Sequence, residues 1–140
     1  MRKYFITAAL VLSAFSASAN ACTFNHLANN GVNEALNNNG GWMVSDQLCA
    51  FLNKNRLSIE VLGDSQVLNG ISIGWAVVGL VDKDSNKRLD TRQYNTFTNT
   101  EPSTPKASQL LAKAINKGIQ QIDANVVAED LANLRSNAKR

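Results

Sequence analysis

Proline is nearly absent from this chain, with only Pro102 and Pro105. With 44% hydrophobic and 18% charged residues, this scarcity excludes collagen-like, coiled-coil and Pro-rich disordered chains. Histidine occurs once, as His26, so any Ser-His-Asp triad or Cys-His pair must use it. No G-x-S-x-G surrounds a candidate serine nucleophile, and no C-x-x-C pair offers zinc-finger spacing. A dense run of lysine and arginine is also missing. The nearest approach is the end of the chain, Arg135 to Arg140, which reads as a solvated helix end. A nucleic-acid binder needs a basic stripe, often with interleaved aromatics, so no nucleic-acid partner is expected. Only one apolar stretch approaches membrane-spanning length, which excludes a polytopic membrane protein.

That stretch opens the chain. Arg2 and Lys3 precede the apolar run Phe5 to Ala14, and small residues follow from Ser16 to Ala21. This is the order of a secretory signal peptide. Small residues at Ala17, Ala19 and Ala21 place cleavage after Ala21 or after Ala19. The predicted organisation is therefore a leader over 1–21 and a single α+β domain over 22–140, periplasmic or secreted, with no transmembrane segment in the mature chain. The full chain carries a formal charge of +3, with 14 basic and 11 acidic residues. Loss of Arg2 and Lys3 with the leader brings the mature chain close to neutral.

Both cysteines, Cys22 and Cys49, lie beyond the cleavage site. An even count in an exported chain predicts one disulfide. Chain-entropy arithmetic for the 27-residue separation gives about 3.5 kcal/mol of stabilisation. Two other fates of Cys22 compete with this. Cleavage after Ala21 would make it the N-terminal residue, as in a lipoprotein, although the usual Leu three residues before the cysteine is absent. Cys22, His26, Asp46 and Cys49 could alternatively gather a metal ion across a helical hairpin; export favours oxidation instead.

Along the mature chain, apolar spacing predicts a helix over Thr23 to Asn37, ended by Asn38-Asn39-Gly40-Gly41. Ser45 is the predicted N-cap of a second helix bearing Val44, Leu48, Phe51 and Leu52. The middle reads as β. Leu57 to Leu62 alternates, Gly63-Asp64 reads as a turn, and Asn69-Gly70 is a hairpin signal. Ile71 to Val81 is apolar on both faces, which predicts a central strand with Trp75 packed in the core. Gly74 and Gly79 within it imply a close packing neighbour or a bulge. Leu89 to Thr98 reads as a more exposed strand. Thr104-Pro105 then starts one long helix or two shorter ones. The expected fold is α+β: an N-terminal helical hairpin, a three- to four-stranded antiparallel sheet, and C-terminal helices on one sheet face.

No constellation fixes a reaction. Asp82, Asp84, Asn86 and Asp90 partly match a calcium loop, but Lys87 stands where its glycine belongs and Gln93 where a bidentate Glu closes the site. They are weak metal candidates, and no metal or other cofactor is expected. Carboxylates at strand ends and turns (Glu60, Asp64, Asp82, Asp84, Asp90) could serve a small secreted hydrolase only if two of them face each other across a cleft. The expected function is a non-catalytic binding protein of the envelope or exterior, such as an inhibitor, immunity-type protein, adaptor or assembly factor. A small hydrolase, or a lipoprotein lipidated at Cys22, are the alternatives. The expected partner is another protein, contacted through Trp42 at the Gly-rich junction and through Tyr94 and Phe97 on the exposed strand.

Overall fold

A helix begins where a side chain accepts one of its first free backbone N–H groups. Three such caps organise the helices of the computed structural model, which describes residues 22–137; the expected leader lies outside them. Asn29 accepts from Val32 N at 2.8 Å and opens α1 (Asn30–Asn38). Ser45 accepts from Leu48 N at 3.1 Å and opens α2 (Asp46–Lys54), as its sequence predicts. Ser103 accepts from Lys106 N at 3.2 Å and opens α3 (Thr104–Gln120). The cap is thus Ser103, and Thr104 is already helical. A last helix, α4 (Ala124–Asn137), follows a break at Asp123, whose carboxylate accepts from Asn125 N at 2.8 Å.

The expected helix over Thr23 to Asn37 is a helix only in its second half. Its first half holds the short strand β1 (His26–Leu27). Asn29 sits in extended backbone, φ −76° and ψ 170°, and spends its carboxamide on the cap. Asn side chains compete with a continuing helix in this way. Upstream, the freed backbone pairs with a neighbouring strand. Gly31, which would weaken a helix interior, falls in the first turn of α1.

Three long strands follow: β2 (Leu57–Leu68), β3 (Ile71–Asp82) and β4 (Lys87–Asn99). Asn69 (φ 50°) and Gly70 (φ 81°) form the β2–β3 hairpin turn, with positive φ at both positions. Gly63-Asp64 does not turn. Both residues run within β2, opposite Ala76 and Trp75. The sheet order is β1-β2-β3-β4. The three long strands are antiparallel, while β1 runs parallel to β2 through His26↔Ile59 and Leu27↔Glu60. The sheet is therefore mixed. A register shift between Gly79 and Val81 bulges the β3–β4 ladder where a glycine permits it.

Among the described residues there are four helices, and their buried side chains meet one face of the sheet. Val32 and Leu36 of α1, Leu52 of α2, Leu111, Ile115 and Ile119 of α3, and Val127 and Leu131 of α4 form one cluster with Ile59, Val61, Ala76, Val78, Leu80 and Leu89. The helix α3 lies closest. A Cβ at Gly74 would collide with the α3 backbone at Leu110 and Leu111, and one at Gly118 would lie 2.6 Å from Val78 Cγ2. Each glycine removes a side chain where the helix and the sheet touch.

Candidate functional site

Side chains alternate across a strand, so the face opposite the helices follows from the register. It carries Leu62, Asp64, Gln66 and Leu68 from β2, Ile71, Ile73, Trp75 and Val77 from β3, and Tyr94, Thr96 and Thr98 from β4. No helix among the described residues covers it. Leu62 is 50% exposed and Tyr94 69% exposed, beside a half-buried Val77. Trp75, expected in the core, stands half-buried on this open face between Asp64 and Thr96. The reason is that Ile71–Val81 is apolar on both sides, and the helices took the side with the smaller residues Gly74 and Ala76.

One end of the open face is charged. Glu60 receives Arg88 Nε at 2.6 Å and Arg88 Nη2 at 2.7 Å, a two-pronged contact. That hydrogen bond, aided by the nearby charges of Arg88 and Arg92, outweighs partial burial and holds the Glu60 carboxyl below its ordinary range.

The three expected contact residues do not share a surface. Tyr94 is on the open face. Phe97, three residues on, points to the helix side, where Lys113 Nζ sits 4.3 Å from its ring centre. Trp42 stacks at a third place: its ring lies 4.5 Å from His26 and 5.7 Å, edge to face, from Phe24. Trp42 also packs against the core, so it is a half-buried plug at the rim.

Cys22 and Cys49 are joined by a disulfide, with their Cα atoms 6.1 Å apart. Because Thr23 to Leu27 is not helical, the bond ties the extended entry to β1, rather than a first helix, to the middle of α2. Asn53 Nδ2 secures the same segment by donating to Thr23 O at 2.8 Å. With both sulfurs bonded, neither is available as a metal ligand or a nucleophile.

The acids of the β3–β4 turn are engaged by arginines. Asp82 is fully buried and accepts from Arg135 Nη2 at 2.7 Å and from Ser85 Oγ at 2.7 Å. Burial pushes its carboxyl up, but the bonds from Arg135 and Ser85 more than offset this and leave it below the ordinary range. Asp84 pairs with Arg56 Nε at 2.5 Å. Asn86 and Asp90 are exposed. Among the described residues no group of three or more His, Cys, Asp or Glu side chains is placed to hold a metal ion. A general acid needs a raised carboxyl pKa, and Glu60 and Asp82 are shifted the other way.

Sequence reasoning missed one feature, a groove on the helix side. It has a volume of 680 Å³ and lies between α3, the end of β4 and the α1–α2 connection. The lysines Lys106, Lys113 and Lys117 line it, together with Phe97. Their spacing of seven and four along α3 was the available signal, since it puts them on one helix face.

No family model, curated protein or solved structure matches the chain.

Proposed function

We propose that this chain is an exported envelope protein that binds another protein and performs no catalysis. The observation that carries the reading is the open sheet face, where Ile73, Trp75 and Val77 stand in a row flanked by Leu62 and Tyr94. An apolar stripe with a tryptophan at its centre, bordered by polar residues and by charge at one end, has the make-up of a protein contact surface. Glu60, Arg88 and Arg92 supply that rim. The disulfide supports export, since such bonds persist outside the reducing cytosol. It also engages the Cys22 sulfur that a lipid anchor would need. The hydrolase alternative draws no support from Glu60 and Asp82, whose arginine partners hold their carboxyls below the ordinary range.

The test is site-specific photocrosslinking in cells producing the full chain with its leader. A benzophenone side chain at Tyr94 is expected to give one discrete adduct, suppressed by Val77→Lys. The same label at exposed Glu129 on α4 is the control. Identical adducts from both positions, or none from position 94, would overturn the reading. Recovery of the chain only from the cytoplasm, with both thiols free, would overturn export.

A further inference from the structure

The groove on the helix side is separate from the open sheet face and differs in chemistry. Three ammonium groups line it, and no carboxylate does. Glu101 pairs with the end of the row, 3.7 Å from Lys106 Nζ. Lys113 and Lys117 are a like-charge pair one turn apart, an arrangement that mildly disfavours the helix. Both side chains are exposed, Lys113 resting over the Phe97 ring and Lys117 in the last turn of α3, where the helix dipole favours a cation. A bound anion would relieve that repulsion.

The groove is already shaped before any ligand arrives. Asn116 is buried and clamps the α1–α2 connection from both sides. Its Oδ1 accepts from Met43 N at 2.9 Å, and its Nδ2 donates to Gly41 O at 3.0 Å. Asn39 Nδ2 donates to Ala35 O at 2.7 Å and Ser108 Oγ at 3.2 Å, which fixes the adjoining wall. The volume of 680 Å³ falls within the range of about 300–1,000 Å³ usual for ligand sites.

The lining narrows the ligand class. The lysines stand in a row along α3, with about 10 Å of helix rise from Lys106 to Lys113 and about 6 Å more to Lys117. A row suits repeated charges along an extended molecule better than one compact phosphate, which favours converging backbone N–H groups or an arginine fork. The amides of Asn99, Gln109 and Gln120 line the same groove, Gln109 with its Oε1 accepting from Lys106 Nζ at 2.9 Å and Gln120 just past Lys117. An amide both donates and accepts, as a sugar hydroxyl does. Phe97 also lines the groove, with Lys113 Nζ over its ring. We infer that this groove binds an acidic, uronate-type oligosaccharide through Lys113 and Lys117, with the amides reading its hydroxyls.

Backbone amide NMR on the oxidised mature chain tests this, with trigalacturonate as the probe. Saturable shifts are expected at Phe97, Asn99 and along Lys106 to Gln120. The double variant Lys113→Gln/Lys117→Gln should weaken binding about tenfold or more, and Lys87→Gln, on the distant hairpin, should leave it unchanged. The methyl-esterified trisaccharide should bind about as poorly as the double variant leaves the acid. Three results would each overturn the inference: no saturable shift up to about 10 mM probe, equal affinity of the double variant, or triglutamate binding as tightly as trigalacturonate. The double variant should keep the parent's unfolding midpoint, so a loss of binding would not reflect a loss of fold.

Discussion

Replacing Arg135 with Met tests how the C-terminal helix is held. Arg135 Nη2 reaches across from α4 to Asp82 Oδ1 at 2.7 Å and to Asn55 O at 2.9 Å. Asp82 is buried, with its side chain 1% exposed, whereas the arginine side chain is 39% exposed. Methionine keeps the apolar stem and removes the charge. The carboxylate would then retain Ser85 Oγ and weaker backbone donors at Ser85 and Asp84. Removing one partner of a fully buried pair costs about 3–5 kcal/mol. Water can replace the half-exposed guanidinium, so the expected loss is smaller, about 2–3 kcal/mol. For a domain of this size that is a fall in Tm of roughly 10 °C. The pH dependence gives a second readout. Asp82 in the parent lies below its ordinary value of 3.8, so its contribution is full above that value and is lost as pH falls through the folded pKa. In Arg135→Met, burial acts unopposed by arginine and the folded carboxyl rises, so protonation relieves the variant. The stability gap should therefore be widest at neutral pH and shrink toward about pH 3. Urea unfolding at pH 7, 5 and 3.5, with the disulfide intact, measures it. A gap below about 0.5 kcal/mol at pH 7, or one that does not change with pH, would refute the reasoning.

Gly74→Ala should destabilise by about 3 kcal/mol or more, the upper end for overpacking, because its Cβ meets the α3 backbone and not a side chain that can turn away; an unfolding midpoint equal to the parent's would contradict the close helix–sheet contact. The double variant Cys22→Ala/Cys49→Ala should lose about 3.5 kcal/mol, from the 27-residue separation. Reduction of the parent should reproduce that loss in urea unfolding, and a stability unchanged by either treatment would remove the bond from the list of structural supports.

Legibility in the sequence differed by element. Asn69-Gly70 was readable because a two-residue turn with positive φ is a local demand that few residue pairs meet. Ser45 was readable for the same kind of reason: the cap and the N–H it serves are three residues apart. Asn29 carries a similar signal, yet the apolar spacing from Phe24 hid it, and β1 depends on a strand some thirty residues away. Gly63-Asp64 misled in the opposite direction. A Gly-Asp pair resembles a turn, but Gly63 serves the sheet, where a Cβ would press on the Trp75 carbonyl oxygen and on Leu111. The site residues were legible as exposed or aromatic types and not as neighbours. Tyr94 and Phe97 are three apart on one strand and so face opposite sides, a consequence of the strand period that becomes decisive once one side is covered.

Short-range chemistry was settled by the residues themselves. Caps, hairpin turns, the apolar central strand and the pairing of the only two cysteines each depend on few atoms and few alternatives. The tertiary structure alone decided which face of β3 the helices cover. Both faces are apolar, so the alternation of β3 has no preferred sign. The choice followed from shape: Gly63, Gly74 and Ala76 make one face shallow enough for α3 to approach, and Trp75 with its neighbours remains on the other. The same docking set Lys113 above Phe97 and closed the groove against the α1–α2 connection. Both candidate surfaces therefore arise from contacts between residues far apart in the chain; the spacing of the α3 lysines sets their shared face but not what lies opposite it.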